Sequence, residues 1–248
     1  MNKFTRRTVI AAACAAAAMT FGPMSFAQQA PEKKDVTIAV GGKSLYYYLP
    51  LSIAEQLGYF KDEGLNVKIV DFQGGSRSLQ AVVGGSADVV SGAFEHTISM
   101  QAKKQPMTAF VLQGRAPQLA LVVSNKTMKD YKQLSDLKGK KVGVTAPGSS
   151  SQMVANFILK KGGLGPKDVA FIGVGSSSGA VSAIRSGQID ALINLDPVIT
   201  ILLKNGDAKL VADTRKVKES ESFFGGTMPA ASTLRFLSLR RIPRQFRL

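Results

Sequence analysis

Gly74-Gly75-Ser76-Arg77 and Gly148-Ser149-Ser150-Ser151 each set glycine and serine just before apolar residues at helical spacing. A helix that starts at such a turn presents free N–H groups and a partial positive charge, and both favour anions. Hydroxyls on Ser76, Ser149, Ser150 and Ser151 add donors, and Arg77 offers a bidentate clamp for a carboxylate, sulfonate or similar oxyanion. The same residue types also serve as plain caps and turn formers. Acid–base or metal chemistry has one candidate, Glu95 beside His96, the only histidine in the chain. A metal needs further ligands and none accompanies the pair, so the pair reads as structural.

The elements that must position these turns are written twice. Residues 75–92 read GSRSLQAVVGGSADVVSG and residues 177–194 read SSGAVSAIRSGQIDALIN. At a constant offset of 102, Leu79 meets Val181, Val82 meets Ile184, Gly85 meets Gly187 and Asp88 meets Asp190. Each copy follows a short β-branched run, Asn66 to Phe72 in one and Val169 to Val174 in the other, which predicts a buried strand. Each helix closes on glycine, and a further strand opens at Asp88 or Asp190. The recurrence of these aspartates predicts a shared structural role at a strand start.

The match extends upstream. Val36 to Val40 runs into Gly41-Gly42, and Lys141 to Thr145 runs into Pro147-Gly148. Helices follow over Leu49–Phe60 and Ser150–Lys161. Each half therefore reads strand–helix–strand–helix–strand with parallel pairing. The halves are two similar α/β lobes, near 35–118 and 125–222, joined through an extended strand at 119–124. Ligands in such sheets bind beyond the carboxyl ends of the strands, here facing each other across a cleft.

The first residues are not part of this plan. Lys3, Arg6 and Arg7 precede fourteen apolar or small residues, Val9 to Gly22, and Ser25-Phe26-Ala27 completes a cleavage site. Residues 1–27 read as a secretory signal, with Arg6-Arg7 also fitting a twin-arginine export signal. The only cysteine, Cys14, lies within it, so the mature chain is free of disulfides and thiolate sites and suits an oxidising compartment. The formal charge of +15 is concentrated at the ends. Residues 28–231 hold 24 Lys and Arg against all 17 acids. A mildly basic body favours anionic partners, and nothing in it has the aromatic–basic interleaving that binds nucleic acid strands.

With these features on the page, a resemblance emerges. VTIAVGG followed by Ile53-Ala54-Glu55-Gln56-Leu57-Gly58-Tyr59-Phe60-Lys61-Asp62-Glu63-Gly64-Leu65-Asn66-Val67 resembles the substrate-binding proteins of bacterial ABC importers. The nearest group binds nitrate, sulfonates, taurine or thiamine precursors. Gly74-Gly75-Ser76, the Gly85 to Val89 segment, Leu134 to Val144 and Asp196-Pro197 carry the likeness over residues 35–231. The resemblance implies a bilobed periplasmic-binding-protein type II fold. It implies a monomeric, periplasmic solute-binding protein that captures a small anion and passes it to a cognate inner-membrane ABC permease. No cofactor, metal or catalysis is implied. By position, the ligand-facing residues are Ser44, Tyr46, Gly75, Ser76, Arg77, Phe94, Glu95, Ser149, Ser150, Ser151, Asn194 and Asp196. Of Tyr46-Tyr47-Tyr48, at least one belongs to the core and another is available as an apolar wall. The alternative is a pyrimidine-precursor binder or a related synthase-like enzyme of the same fold.

After Pro229-Ala230-Ala231 the text changes. Residues 223–231 read as the return towards lobe 1, and 232–248 hold five Arg and no acid. That segment reads as an atypical basic tail, left by a frameshift or truncation, with lobe 1 incomplete. A genuine basic tail, as a surface helix, is the alternative.

Overall fold

The sequence expectation of alternating parallel strands and helices can be followed strand by strand in a computed structural model. It describes residues 31–114, 117–224 and 235–239. Ten strands run in chain order: β1 (Asp35–Val40), β2 (Asn66–Asp71), β3 (Val89–Ala93), β4 (Thr108–Gly114), β5 (Ala120–Ser124), β6 (Lys141–Val144), β7 (Ala170–Gly173), β8 (Ala191–Asn194), β9 (Ala208–Asp213) and β10 (Arg235–Leu239). The helices are α1 (Leu49–Gln56), α2 (Tyr59–Asp62), α3 (Gly75–Val83), α4 (Glu95–Ala102), α5 (Ser150–Lys161), α6 (Ser178–Ser186), α7 (Val198–Lys204) and α8 (Val217–Phe224).

The strands form two five-stranded sheets of the same plan, β2-β1-β3-β10-β4 and β7-β6-β8-β5-β9. The first three strands of each are parallel, β1 to β2 and β3, β6 to β7 and β8. The fourth strand of each is antiparallel to both of its neighbours. The segment expected to join the lobes, 119–124, is thus the fourth strand of the second sheet, and β5 is buried along its whole length. Arg235–Leu239, inside the segment read as a basic tail, is the fourth strand of the first sheet. With it, that sheet has as many strands as the second. The secretory signal, the 225–234 stretch and residues 240–248 lie outside the described residues.

The two copies agree atom for atom at the recurring aspartates. Asp88 Oδ2 accepts the Thr37 N–H at 2.9 Å, and Asp190 Oδ2 accepts the Lys141 N–H at 2.9 Å. Each carboxylate stitches the start of the third strand to the start of the first. Burial pulls the Asp88 carboxyl up, but Lys33 and the Thr37 N–H outweigh it and hold it below its ordinary range.

One helix departs from expectation. The helix read over Leu49–Phe60 breaks at Gly58, whose φ of 80° suits a residue without a Cβ, and it continues as the four-residue α2. Ser150–Lys161 forms one helix over its whole length. The Tyr triplet winds into a single 3₁₀ turn, which buries Tyr47 and Tyr48 in the core and leaves Tyr46 63% exposed. The core follows the sheets: Val36, Ile38 and Val40 of β1 share a cluster with Val142 and Val144 of β6. From Glu32 onward the described residues belong to one compact unit.

Candidate functional site

The carboxyl ends of β1, β2 and β3 face those of β6, β7 and β8 along a seam, and the turns expected to hold a ligand meet there. Gly74, with φ of 88°, takes the chain from β2 into α3. Pro147 to Ser149 takes it from β6 into α5. The two helix starts touch. The Ser76 N–H donates to Ser149 Oγ at 3.0 Å, Ser76 Oγ donates to the Pro147 carbonyl at 2.8 Å, and the two hydroxyls lie 3.2 Å apart. A methyl added at Gly74 would come within 2.9 Å of the Ala146 Cβ, so this approach requires glycine. Two helix starts and two serine hydroxyls thus meet at one point, and each hydroxyl already donates within the contact, Ser76 to Pro147 and Ser149 to Ser76.

The other expected residues divide by what they touch. Ser150 is half-buried beside this point and Arg77 is exposed at the start of α3. Ser151 is buried, accepts the Thr145 N–H at 3.0 Å and lies 2.9 Å from the Thr145 hydroxyl, so it braces the end of β6. Asn194 is buried as well. Its amide donates to the Gly175 carbonyl at 3.1 Å and its oxygen accepts the Leu195 N–H, tying two turns together. Asp196 Oδ1 accepts from the Thr200 N–H and hydroxyl, and both Asp196 oxygens accept from Arg215, which also grips Asp213. Burial pulls the Asp213 carboxyl up, and Arg215 outweighs it and holds it below its ordinary range. The side chain of Asp196 therefore serves to fix its turn. Its carbonyl faces the seam and accepts the Tyr46 N–H at 3.2 Å.

Phe94 is half-buried and its carbonyl caps Thr97. Glu95 and His96 are buried at the start of α4. The imidazole lies beneath the first turn of α3: a methyl added at Gly75 would sit 3.2 Å from His96 Cε1. Neither ring nitrogen has a hydrogen-bond partner among the described residues. Burial drives its pKa down to about 4, so it stays neutral at physiological pH. No group of three or more His, Cys, Asp or Glu able to hold a metal occurs among the described residues.

A second contact crosses the seam where sequence reasoning named only one side. Ser176 packs against Gly42, φ 116°, closely enough that a methyl there would collide with the serine hydroxyl. Gly42 and Lys43 are held by their N–H groups on Asp71 Oδ1, at 2.7 and 2.9 Å. Ser44 is exposed and Tyr46 lies alongside. Sequence analysis missed Ser176, Ser177 and Ser178, although the offset of 102 maps Gly74-Gly75-Ser76 directly onto them.

Comparison with known proteins bears on the family and the fold. The family model described as NMT1/THI5 like matches residues 46–213. A solved protein of Bordetella bronchiseptica RB50 is 59% identical, with a TM-score of 0.81, over 88% of this chain and 66% of its own. The alkanesulfonate-binding protein SsuA from Xanthomonas axonopodis pv. citri, solved bound to MOPS, has a TM-score of 0.65 at 23% identity. That match covers 85% of this chain and 66% of the other, and it shows a shared fold. A 4-amino-5-hydroxymethyl-2-methylpyrimidine phosphate synthase of Schizosaccharomyces pombe is 27% identical over 162 residues, 65% of this chain. This chain spans 45% of that relative's length. Among the described residues no helix is long and apolar enough to cross a membrane.

Proposed function

The chain belongs to the NMT1/THI5-like family, and from that premise we propose that it is the extracytoplasmic solute-binding protein of an ABC importer. As a monomer it captures a small organic or inorganic anion of the sulfonate, taurine or nitrate kind and delivers it to a cognate inner-membrane permease. Export by residues 1–27 belongs to this reading. The observation that carries it is the meeting of α3 and α5, where Ser76 and Ser149 hydroxyls and two helix N-termini share one point. An anion that displaces the Ser76–Ser149 and Ser76–Pro147 contacts gains charge-assisted hydrogen bonds from the freed donors without a buried lysine. On this reading the chain captures its ligand without turning it over.

A thermal melt with and without alkyl sulfonates, taurine, nitrate and carboxylates tests it. A ligand at about 100 times its Kd adds roughly 2.7 kcal/mol, a clear upward shift in Tm. No shift with any anion overturns the reading. The relative named as a pyrimidine phosphate synthase favours a second one, in which the seam takes a pyrimidine precursor or makes it. Product formation in a turnover assay, or a Tm shift with a hydroxymethylpyrimidine alone, would decide for that alternative.

A further inference from the structure

We propose that the end of the second sheet away from the seam is a docking face for a bilayer of anionic phospholipid. It goes beyond the function proposed above and does not depend on the ligand held at the α3–α5 point. The starts of β6, β7 and β8 lie at this end, together with the close of β5 and the start of β9. Lys141 pairs with Ala170, the Ser124 N–H donates to the Asp190 carbonyl at 2.8 Å, and Ser124 pairs with Ala208. The turns between these strands come with them. The Gly139 N–H donates to the Asp168 carbonyl at 2.7 Å, and Gly162, the C-cap of α5, packs against Leu134.

Residues 125–141, 160–168, 185–190 and 204–209 make up this end and hold 12 Lys and Arg against five Asp. Lys129, Lys138, Lys141, Lys160, Lys161 and Lys167 are exposed, and none forms an ion pair among the described residues. Four of the five acids are occupied locally. Asp136, Asp168 and Asp190 accept backbone N–H groups, and Asp207 holds Arg185. The fold does not impose this excess of charge. Residues 32–37, 61–66, 83–88 and 102–108 form the matching end of the first sheet, where five Lys are matched by five acids. The Leu65 N–H donates to the Phe60 carbonyl as the Leu164 N–H donates to that of Leu159, which makes Asp62 the counterpart of Lys161. Among the described residues, one copy of the plan is balanced at this end and the other is strongly basic.

The chemistry of the face selects the partner. All but one of its 12 basic residues are lysines, and the exception, Arg185, is committed to Asp207 at 2.8 Å. Lysine is a point charge without the planar fork that fixes one phosphate of a nucleic acid strand, and it suits headgroups that diffuse. Bases would find nothing to stack on, because Tyr131, the one aromatic residue of these segments, is half-buried against the core. None of the large apolar residues exposed among the described residues lies in these segments, so the contact is electrostatic and weakens with salt. Each lysine held near an anionic surface strengthens binding by a factor of about five.

The test is co-sedimentation of the full chain with vesicles of phosphatidylcholine alone and of an equal mixture of phosphatidylcholine and phosphatidylglycerol. The readout is the ratio of the two affinities, which removes any apolar contribution common to both. One variant combines K138Q, K141Q, K161Q and K167Q. A second combines K61Q, K68Q, K103Q and K104Q and removes the same charge from the first half. All eight lysines are exposed, so both variants should keep the parent Tm. The expected result is a preference for the mixed vesicles that the first variant lowers about tenfold or more and the second by less than about threefold. Salt at about 1 M, where the Debye length is about 3 Å, should release the parent chain. Equal losses in the two variants, equal affinity for the two vesicles, or preference for the mixed vesicles that survives the salt overturns the proposal. Binding of a DNA duplex that the first variant loses, with no vesicle bound, would make the face a nucleic acid surface and overturns it as well.

Discussion

The seam is crossed by two contacts that the internal repeat makes equivalent, and they solve one packing problem in opposite ways. In the first, Gly74 at the start of α3 faces Ala146 after β6. In the second, Ser176 before α6 faces Gly42 after β1. The repeat maps Gly74 onto Ser176, and the matched strand ends place Gly42 opposite Ala146. Each contact thus brings one glycine against one residue with a side chain, and the glycine has changed sides. Close approach of two turns needs room for only one Cβ, and either partner can give it up. The next positions diverge further. Gly75 lies over the His96 imidazole, whereas its counterpart Ser177 and the counterpart of His96, Val198, border an open cavity. One copy of the turn is closed on another helix start, and the other is left available.

The largest break in this comparison should come at the second contact. Gly42→Ala adds a collision with Ser176 to a φ of 116° that alanine resists, for about 4 kcal/mol in chemical denaturation. Adding Ser176→Gly should restore the steric share and leave about 2 kcal/mol lost, through φ strain and the extra freedom of the unfolded chain. A double variant no more stable than the single one would show that the two residues do not share this space.

Next in size is the buried imidazole that only the first half has. Folded His96 stays neutral down to about 4, while the unfolded chain protonates it near the ordinary histidine value of 6.5. Its contribution is therefore intact above about 6.5 and is lost as pH falls from there to about 4, by up to about 3 kcal/mol. His96→Val, which copies Val198, should flatten that part of the stability profile, read as the difference between the two chains. Equal slopes between pH 6.5 and 4 would place the ring in water instead.

The smallest effect sharpens the contrast between the serines. Ser149→Ala removes the acceptor of the Ser76 N–H and should cost about 1 kcal/mol. Ser178→Ala removes no hydrogen bond found among the described residues and should change stability by less than about 0.5 kcal/mol. Equal costs for the two would erase the distinction between a closed and an open turn.

Much of the fold was legible because it was repeated. Asp88 and Asp190 read as structural from their recurrence alone, and both make the same strand-start hydrogen bond. Parallel pairing followed from the glycine-closed helix between two apolar runs. The fourth strands were not legible, because their partners lie far away in sequence. Nothing local tells that LALVVS belongs inside the second sheet, or that RFLSL pairs with β3 and β4. At the site, composition found the Ser76 and Ser149 turns, since Gly-Ser before a helix has a local signature. It gave Asn194 and Asp196 no role apart from the ligand, because their partners Gly175 and Arg215 come together only in the folded chain. Ser176 was missed for the converse reason. Its neighbour Gly42 marks a close contact only once both sheets are in place.

The exchange of fourth strands also fixes an order of events during synthesis. β5 follows β4 directly, so the second sheet can assemble as its own residues leave the ribosome. In the first sheet, among the described residues, β4 pairs with β10 alone, and Ala93 in β3 waits for Arg235. The half that is translated first is therefore the last to be finished. Until then β3 and β4 keep unpaired edges, the kind of surface to which other nascent chains add. The yield of folded protein should therefore respond to the rate at which the segment through Leu239 emerges.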